Sequence, residues 1–327
     1  MRSAVFVEPQ KIQIEHRHIP VPASDEALIR TEYIAICGSD QARFWDTSRV
    51  AQEPVVFGHE FSGRIVSAPS GNGLQPGEPV TVAPLFNCGE CEYCLAGIEN
   101  LCPKRRQFGV LVDGALQEYV CVPADRIYRL PKNISLEVGA LIEPLAVAYH
   151  TVRQAGVPEG EPTLVLGAGA IGLLIAQVWR ALGYGLAAVV DINARRLAVA
   201  EQLRIPVWIK DPNESKFQLI FEATGSSQAF SKWLPALTPR GKVVVVSKLE
   251  GDVTINWLDL LRKEGEIITS RYFTLADFEN SINLVEEATI QLEPLIGHIV
   301  PFMKFSDNYG VDVMSLAKDA VRLVVRI

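Results

Sequence analysis

The stretch 163-TLVLGAGAIGLLIAQVWRAL-182 decides how this 327-residue chain is read. The aliphatic run TLVL predicts a short buried strand, and AIGLLIAQVWRAL, apolar at helical spacing, predicts a helix. Between them stands Gly167-Ala-Gly169-Ala-Ile171-Gly172. The first glycine permits a tight turn, the second lets backbone approach a pyrophosphate, and the third allows strand and helix to pack closely. The helix N-terminus then offers N–H groups and a partial positive charge to an anion. Glycines in this pattern are a weak signal alone. Here the flanks are right, and Asp191 ends the next strand, LAAVVD, 19 residues beyond Gly172. A carboxylate there accepts from ribose hydroxyls and repels a 2′-phosphate, which favours NAD over NADP. Arg196, five residues further on, either faces the adenine side or admits NADP.

Outward from this loop, strands and helices alternate. ARRLAVAEQL, SQAFSKWLPAL, LDLLRKE and LADFENSINLVEEA read as helices, and FQLIFEAT, KVVVVS and EIITS as strands. That order predicts βαβ units and a doubly wound parallel sheet. The texture changes before about Ser135. SAVFVEP, KIQIEHR, EALIRTEYIAIC, EFSGRIVSAP, EPVTVAPL and ALQEYVCVPA are β-rich segments bounded by turn residues, so the N-terminal part is expected to be all-β, a barrel or sandwich. LEVGALIEPLAVAYHTVRQAGV reads as one long helical stretch joining the two. The last thirty residues either continue the parallel sheet or fold back on the β-region.

Two domains fit the length. A net charge of −7 and a pI near 5.4 argue against a nucleic-acid partner. No apolar run approaches a bilayer span, and the start MRSAVFVEPQ lacks the apolar core of a signal peptide, so a cytoplasmic protein with no membrane partner is expected. Six cysteines in such a chain read as reduced thiols. Cys88, Cys91, Cys94 and Cys102 stand as Cys-x2-Cys-x2-Cys-x7-Cys, a spacing that brings four sulfurs around one zinc ion. An iron–sulfur cluster uses a shorter last gap. Cys121, in YVCVP, is expected to be a small buried apolar residue.

Three further residues attract attention as ligands. Cys37 follows the strand EYIAI and precedes Gly-Ser-Asp, and His59-Glu60 lie in FGHEFSG. Glu143 stands in ALIEPLAVAYH. Singly, each reads as core or as a satisfied polar group. In order, however, Cys37-Gly-Ser-Asp, Gly58-His59-Glu60, the four-cysteine lobe, Glu143-Pro-Leu and the Gly167–Gly172 loop resemble the zinc-dependent medium-chain dehydrogenases over essentially the whole chain. The likeness is to the polyol and sugar-acid branch, which includes sorbitol dehydrogenase, galactitol-1-phosphate dehydrogenase and L-galactonate oxidoreductase.

The resemblance implies a GroES-like β-barrel catalytic domain, residues 1–145 with 295–327, and a Rossmann NAD-binding domain, residues 146–294. It implies two zinc ions per chain, one structural in the cysteine lobe and one reactive on Cys37, His59 and Glu60. Glu143 would bond to the water on that zinc or replace it as a ligand. Ser39 would pass a proton from a substrate alcohol, and Asp40 would orient the ligands. Ile171, Val246, Ser247, Lys248 and Arg271 would join the glycines, Asp191 and Arg196 at the cofactor. Arg43, Glu143, Arg271 and Tyr272 would face substrate, and relatives are commonly homodimers or homotetramers. Two positions depart from the pattern. Ala42 stands where sorbitol dehydrogenase has a histidine, and Ser247-Lys248 stands where glycine is usual. Between Lys210 and Phe217 the chain is shorter than in most members of the family it resembles, which implies the loss of a surface helix. Arg43 and Arg271 suit a substrate carboxylate or phosphate; Arg43 as a solvated loop residue is the competing expectation. A zinc-poor NADPH-dependent reductase of activated double bonds and a non-enzymatic zinc ribbon are the alternative functions.

Overall fold

The computed structural model describes residues 1–46, 54–156, 159–305 and 310–327. Packing divides these into two units. The first holds Met1–Glu143, Thr274–Glu286 and Leu295–Ile327, and the second holds Pro144–Phe273 and Glu287–Pro294.

The first unit is built around the eleven-residue strand Glu26–Ile36, buried at both ends, where Ala27 and Ile29 and, past an irregularity in register between Thr31 and Tyr33, Ile34 and Ile36 enter its core. This strand pairs antiparallel with Glu60–Ser67, with Tyr119–Pro123 and with the C-terminal strand Arg322–Arg326. The tail therefore folds back on the β-region and does not extend the parallel sheet. Ile296–Pro301 adds to Arg322–Arg326 in parallel. A second sheet, Lys11–His16, Arg2–Glu8 and Val55–Val56, lines the same core, where Phe6 stacks on Phe57 with ring centroids 4.6 Å apart. The unit is not all-β. Helices Gly38–Trp45 and Gly310–Asp319 belong to it, and so does Leu275–Glu286. Leu275 N donates to Glu99 Oε1 at 2.8 Å, and Phe278 lies 4.9 Å from Tyr128. Gly38-Ser-Asp has turn composition, which hid the first of these helices from a propensity reading.

The expected long helix is two. Leu136–Gly139 is capped by Ser135, and Ile142–Ala155 follows. Pro144 has no N–H to offer the Ala140 carbonyl, so the first run ends and a new one starts. In the second unit five parallel strands run in the order Ala187–Val190, Thr163–Leu166, Phe217–Glu222, Leu237–Val245, Glu266–Thr269. Adjacent side chains on the third strand face opposite ways. Ile220 packs with Phe230 and Trp233, and Phe221 meets Trp179 at 5.7 Å, so helices cover both faces as a doubly wound sheet requires. Beyond the edge strand, pairing shrinks to one bridge between Val189 and Val207. The only helical residues between Lys210 and Phe217 form the single 3-10 turn Pro212–Glu214, as the short connection predicts.

Candidate functional site

Strand register assembles the candidate reactive site. Ala35 lies opposite Glu60 across the antiparallel pair, so the chain leaving Ile36 delivers Cys37 beside His59 and Glu60. Ligand atoms of Cys37, His59 and Glu60 all lie within 4.8 Å of one another. His59 and Glu60 are buried, and Cys37 is half-buried. Across the same long strand, Leu323 pairs with Ile36, which places Arg322 where its Nη2 donates to Glu60 Oε1 at 2.8 Å.

The donor set fits a divalent cation. Glu60 is fully buried, and neither its second oxygen, Oε2, nor His59 Nδ1 has a hydrogen-bond partner among the described residues. Burial pushes the Glu60 carboxyl well above its usual range, against the opposing charge of Arg322. Glu143 is likewise buried and is pushed up to about 8 by desolvation, which the His59 charge opposes. Buried acids that their neighbours leave under-compensated are what a cation would stabilise. One thiolate, one imidazole and one carboxylate are a set that zinc accepts while keeping a fourth position open. Glu143 is not among the three clustered ligands.

Asp40 lies beneath this group. Its Oδ2 accepts from Cys37 N at 3.2 Å, its Oδ1 accepts from Arg43 Nη2 at 2.9 Å, and that Oδ1 stands 3.7 Å from His59 Nδ1. Arg43 is buried and stacked over the Phe57 ring, 4.8 Å from its centroid, so it is not a solvated loop residue. Ser39 is exposed on the first turn of the helix.

In the lobe, sulfur separations are 3.6 Å for Cys88–Cys102, 3.5 Å for Cys91–Cys94 and 3.9 Å for Cys88–Cys94. Zinc–sulfur bonds of about 2.3 Å at tetrahedral angles put sulfurs about 3.8 Å apart, so the fit is close. Backbone N–H groups of Glu90 and Cys91 help lower Cys88 to about 6. All six cysteines are free thiols. Cys121 is half-exposed rather than buried, because it takes an outward position on its strand, YVCVP, while Val120 and Val122 face inward.

In the second unit the glycines do what their spacing implies. Gly167 has φ +97, and a Cβ on Gly172 would stand 1.8 Å from the Gly167 carbonyl oxygen. Gly169 has open space where its Cβ would be, next to the half-exposed Ile171. Asp191 closes the loop, accepting from Ala168 N at 2.7 Å and from Asn193 N at 2.8 Å, and Arg196 stands 3.8 Å from it. Sequence reasoning passed over Glu222, a fully buried acid at the end of an apolar strand. It accepts from Thr224 N at 2.7 Å, Gly225 N at 3.2 Å and the Ser247 hydroxyl, tying two loops together. Val246 N bonds to the Glu222 carbonyl, and Lys248 is exposed. Its only signal was a charge where the strand pattern wants an aliphatic. Ile192, beside Asp191, is fully exposed. Arg271 is exposed, 4.9 Å above the ring of Tyr272, whose φ is +57.

Known proteins share this family and fold. Residues 23–132 match the alcohol dehydrogenase GroES-like domain, and residues 170–287 match the zinc-binding dehydrogenase domain. L-galactonate-5-dehydrogenase of Escherichia coli is 32% identical over 330 residues, covering 96% of each chain. The crystal structure of L-idonate 5-dehydrogenase from E. coli superposes with a TM-score of 0.91 at 26% identity, covering 100% of this chain and 98% of that one. Galactitol-1-phosphate dehydrogenase, also from E. coli, gives 0.89 at 28% identity with both chains fully covered. The chain belongs to the zinc-dependent alcohol dehydrogenase family, in its polyol and sugar-acid branch, and is an oxidoreductase with a GroES-like and a Rossmann-type domain.

Proposed function

We propose that this enzyme oxidises a secondary alcohol on a polyol, sugar acid or polyol phosphate, with NAD as the hydride acceptor and two zinc ions per chain. The gathering of Cys37, His59 and Glu60 within 4.8 Å carries the reading. A zinc ion held there supplies Lewis acidity toward an alcohol oxygen.

The chain's own groups do the rest. Cys37, His59 and Glu60 hold the ion, and Arg322 keeps Glu60 oriented. Glu143, buried beside the three ligands, bonds to the water on the zinc or serves as an exchangeable ligand. Ser39, exposed at the helix start, passes the alcohol proton outward. Gly167, Gly169, Ile171 and Gly172 seat the diphosphate on the helix N-terminus. Asp191 accepts from the ribose and repels a 2′-phosphate, which supports NAD over NADP, with Arg196 and the exposed Ile192 on the adenine side. Val246, Ser247, Lys248 and Arg271 complete the cofactor contacts. Arg271 and Tyr272 are assigned to substrate, as is Arg43, whose Nη1 has no hydrogen-bond partner among the described residues, and guanidinium groups favour an anionic substrate. The cysteine lobe holds the structural zinc. Free thiols fit a reducing cytoplasmic setting, and relatives suggest a homodimer or homotetramer. No helix among the described residues is long and apolar enough to cross a membrane. The zinc-poor, NADPH-dependent alternative is opposed by the complete ligand cluster and by Asp191.

The test is NADH formation over neutral polyols, sugar acids and polyol phosphates, with zinc counted per chain. Turnover of anionic substrates by protein holding two zincs is expected. One zinc, or a preference for NADPH and an activated alkene, would overturn the assignment.

A further inference from the structure

The two segments that carry the ligand cluster arrive separately. Cys37 heads the helix Gly38–Trp45, and His59-Glu60 follow Phe57-Gly58 on a different part of the chain. Arg43 reaches both. Arg43, 6% exposed, donates through Nη2 to Asp40 Oδ1 and lays its guanidinium over the Phe57 ring. Phe57 is itself immobilised by stacking on Phe6 in the core. Asp40, with no exposed surface, presents its other oxygen to the Cys37 N–H and the oxygen shared with Arg43 toward His59 Nδ1.

We infer that Arg43 is a positioning residue for the metal centre: it cross-braces the Cys37 helix to the His59 segment through Asp40 and Phe57. The inference rests on the reading of Cys37, His59 and Glu60 as zinc ligands and adds a job that substrate recognition does not require. Two features make the brace specific. A carboxylate shared between Cys37 N–H and Arg43 holds the ligand-bearing turn at one distance, and the planar guanidinium stacks as an ammonium does not. The Arg43–Asp40 pair also offsets the negative charge that Asp40 brings to within 3.7 Å of His59. Groups that orient a metal ligand in this way commonly change metal affinity by about 10- to 100-fold when removed.

The experiment follows zinc release from the intact enzyme to a chromogenic chelator, with the cysteine lobe as an internal control. Wild type is expected to release two zincs in two phases. Arg43→Met, which keeps the apolar stem and removes the fork, is expected to speed release from one site by at least about tenfold and leave the other phase unchanged. Cobalt placed in that site is expected to show a shifted visible spectrum, which a general loss of stability would not give selectively. Arg43→Lys is expected to fall between the two. If Arg43→Met does not fold, Arg43→Lys and Phe57→Leu carry the same test, and faster release from one site alone is expected of both. Release at the wild-type rate with an unchanged cobalt spectrum overturns the inference, as does a rise in KM for an anionic substrate with both zincs held normally. One zinc in wild type overturns it together with the reading it rests on.

Discussion

The cysteine lobe draws all four candidate ligands from residues 88–102, and its sulfurs are closed on one another by local turns. The Cys37–His59–Glu60 cluster draws its candidate ligands from two segments and its counter-charge from Arg322, 262 residues from Glu60. The lobe lies at the surface, with exposed Leu95, Ile98 and Leu101 around it. The other cluster lies mostly buried, with the buried acids Asp40 and Glu143 beside Glu60 and with Cys37 half-buried. Four soft, identical ligands saturate a tetrahedral ion and leave nothing to react. A mixed set with an open position, held in a low-dielectric surround, makes each neighbouring charge count. The first arrangement needs proximity alone; the second needs the whole β-unit to be folded.

His59→Ala is the sharpest way to break that contrast. Loss of one reactive-site ligand is expected to lower kcat/KM by about a thousandfold or more, since the metal's share of charge stabilisation is several kcal/mol. One zinc should remain per chain, held by the lobe. Steady-state kinetics with metal analysis of the same sample checks both halves, and loss of both zincs would contradict the independence of the clusters.

Arg322→Leu comes next. It leaves Glu60 buried without its ion pair, and breaking such a pair from one side costs about 3–5 kcal/mol. Denaturant unfolding of the metal-stripped protein should show the loss, and a saturating concentration of zinc should recover much of it by giving Glu60 another cation.

Acid–base behaviour separates the clusters again. Glu143 has a raised affinity for its proton in the folded state, about 8 against an ordinary 4.5, and Glu60 is raised in the same direction. Between those values the unfolded chain has released a proton that the folded one keeps. The stabilisation is therefore full below about pH 4.5 and is lost as pH rises through about 8. The metal-stripped enzyme is expected to lose about 3 kcal/mol between pH 5 and 8 from Glu143, and Glu143→Gln to flatten that slope. Thermal unfolding over that range would decide it; an unchanged slope in Glu143→Gln would assign the dependence elsewhere.

How much of this was legible in the sequence follows the same division. Cys-x2-Cys-x2-Cys-x7-Cys and the glycine loop are local devices, in which spacing dictates geometry, and both could be read residue by residue. Gly172 is a case in point: the close approach its place in the motif implies is the 1.8 Å conflict a Cβ would meet. Cys37, His59 and Glu60 are local only in family pattern, because nothing within a few residues of Cys37 states that Glu60 lies across a strand pair. Arg322, Asp40 and Glu222 act through register and burial. The helix Gly38–Trp45 escaped because its opening residues favour turns, and the return of the tail was implied by the family resemblance alone, because Arg322–Arg326 by itself suits either sheet.

The weakest expected effect tests the contrast from the lobe's side. Lys104 Nζ stands 2.7 Å from Glu90 Oε1 directly over the cysteine cluster, but both side chains are about two-thirds exposed. Water and salt screen such a pair, and holding two long side chains together offsets what attraction remains. Glu90's carboxyl is lowered by that bond, yet it is Glu90's backbone N–H, which Lys104 does not touch, that points at Cys88. Lys104→Ala is therefore expected to leave both zincs in place and to shift the melting midpoint by less than about 1 °C. Removing Arg322 deletes a cation at much the same distance from its carboxylate. A large effect of Lys104→Ala, measured beside Arg322→Leu by calorimetry, would mean that charge rather than burial governs both clusters.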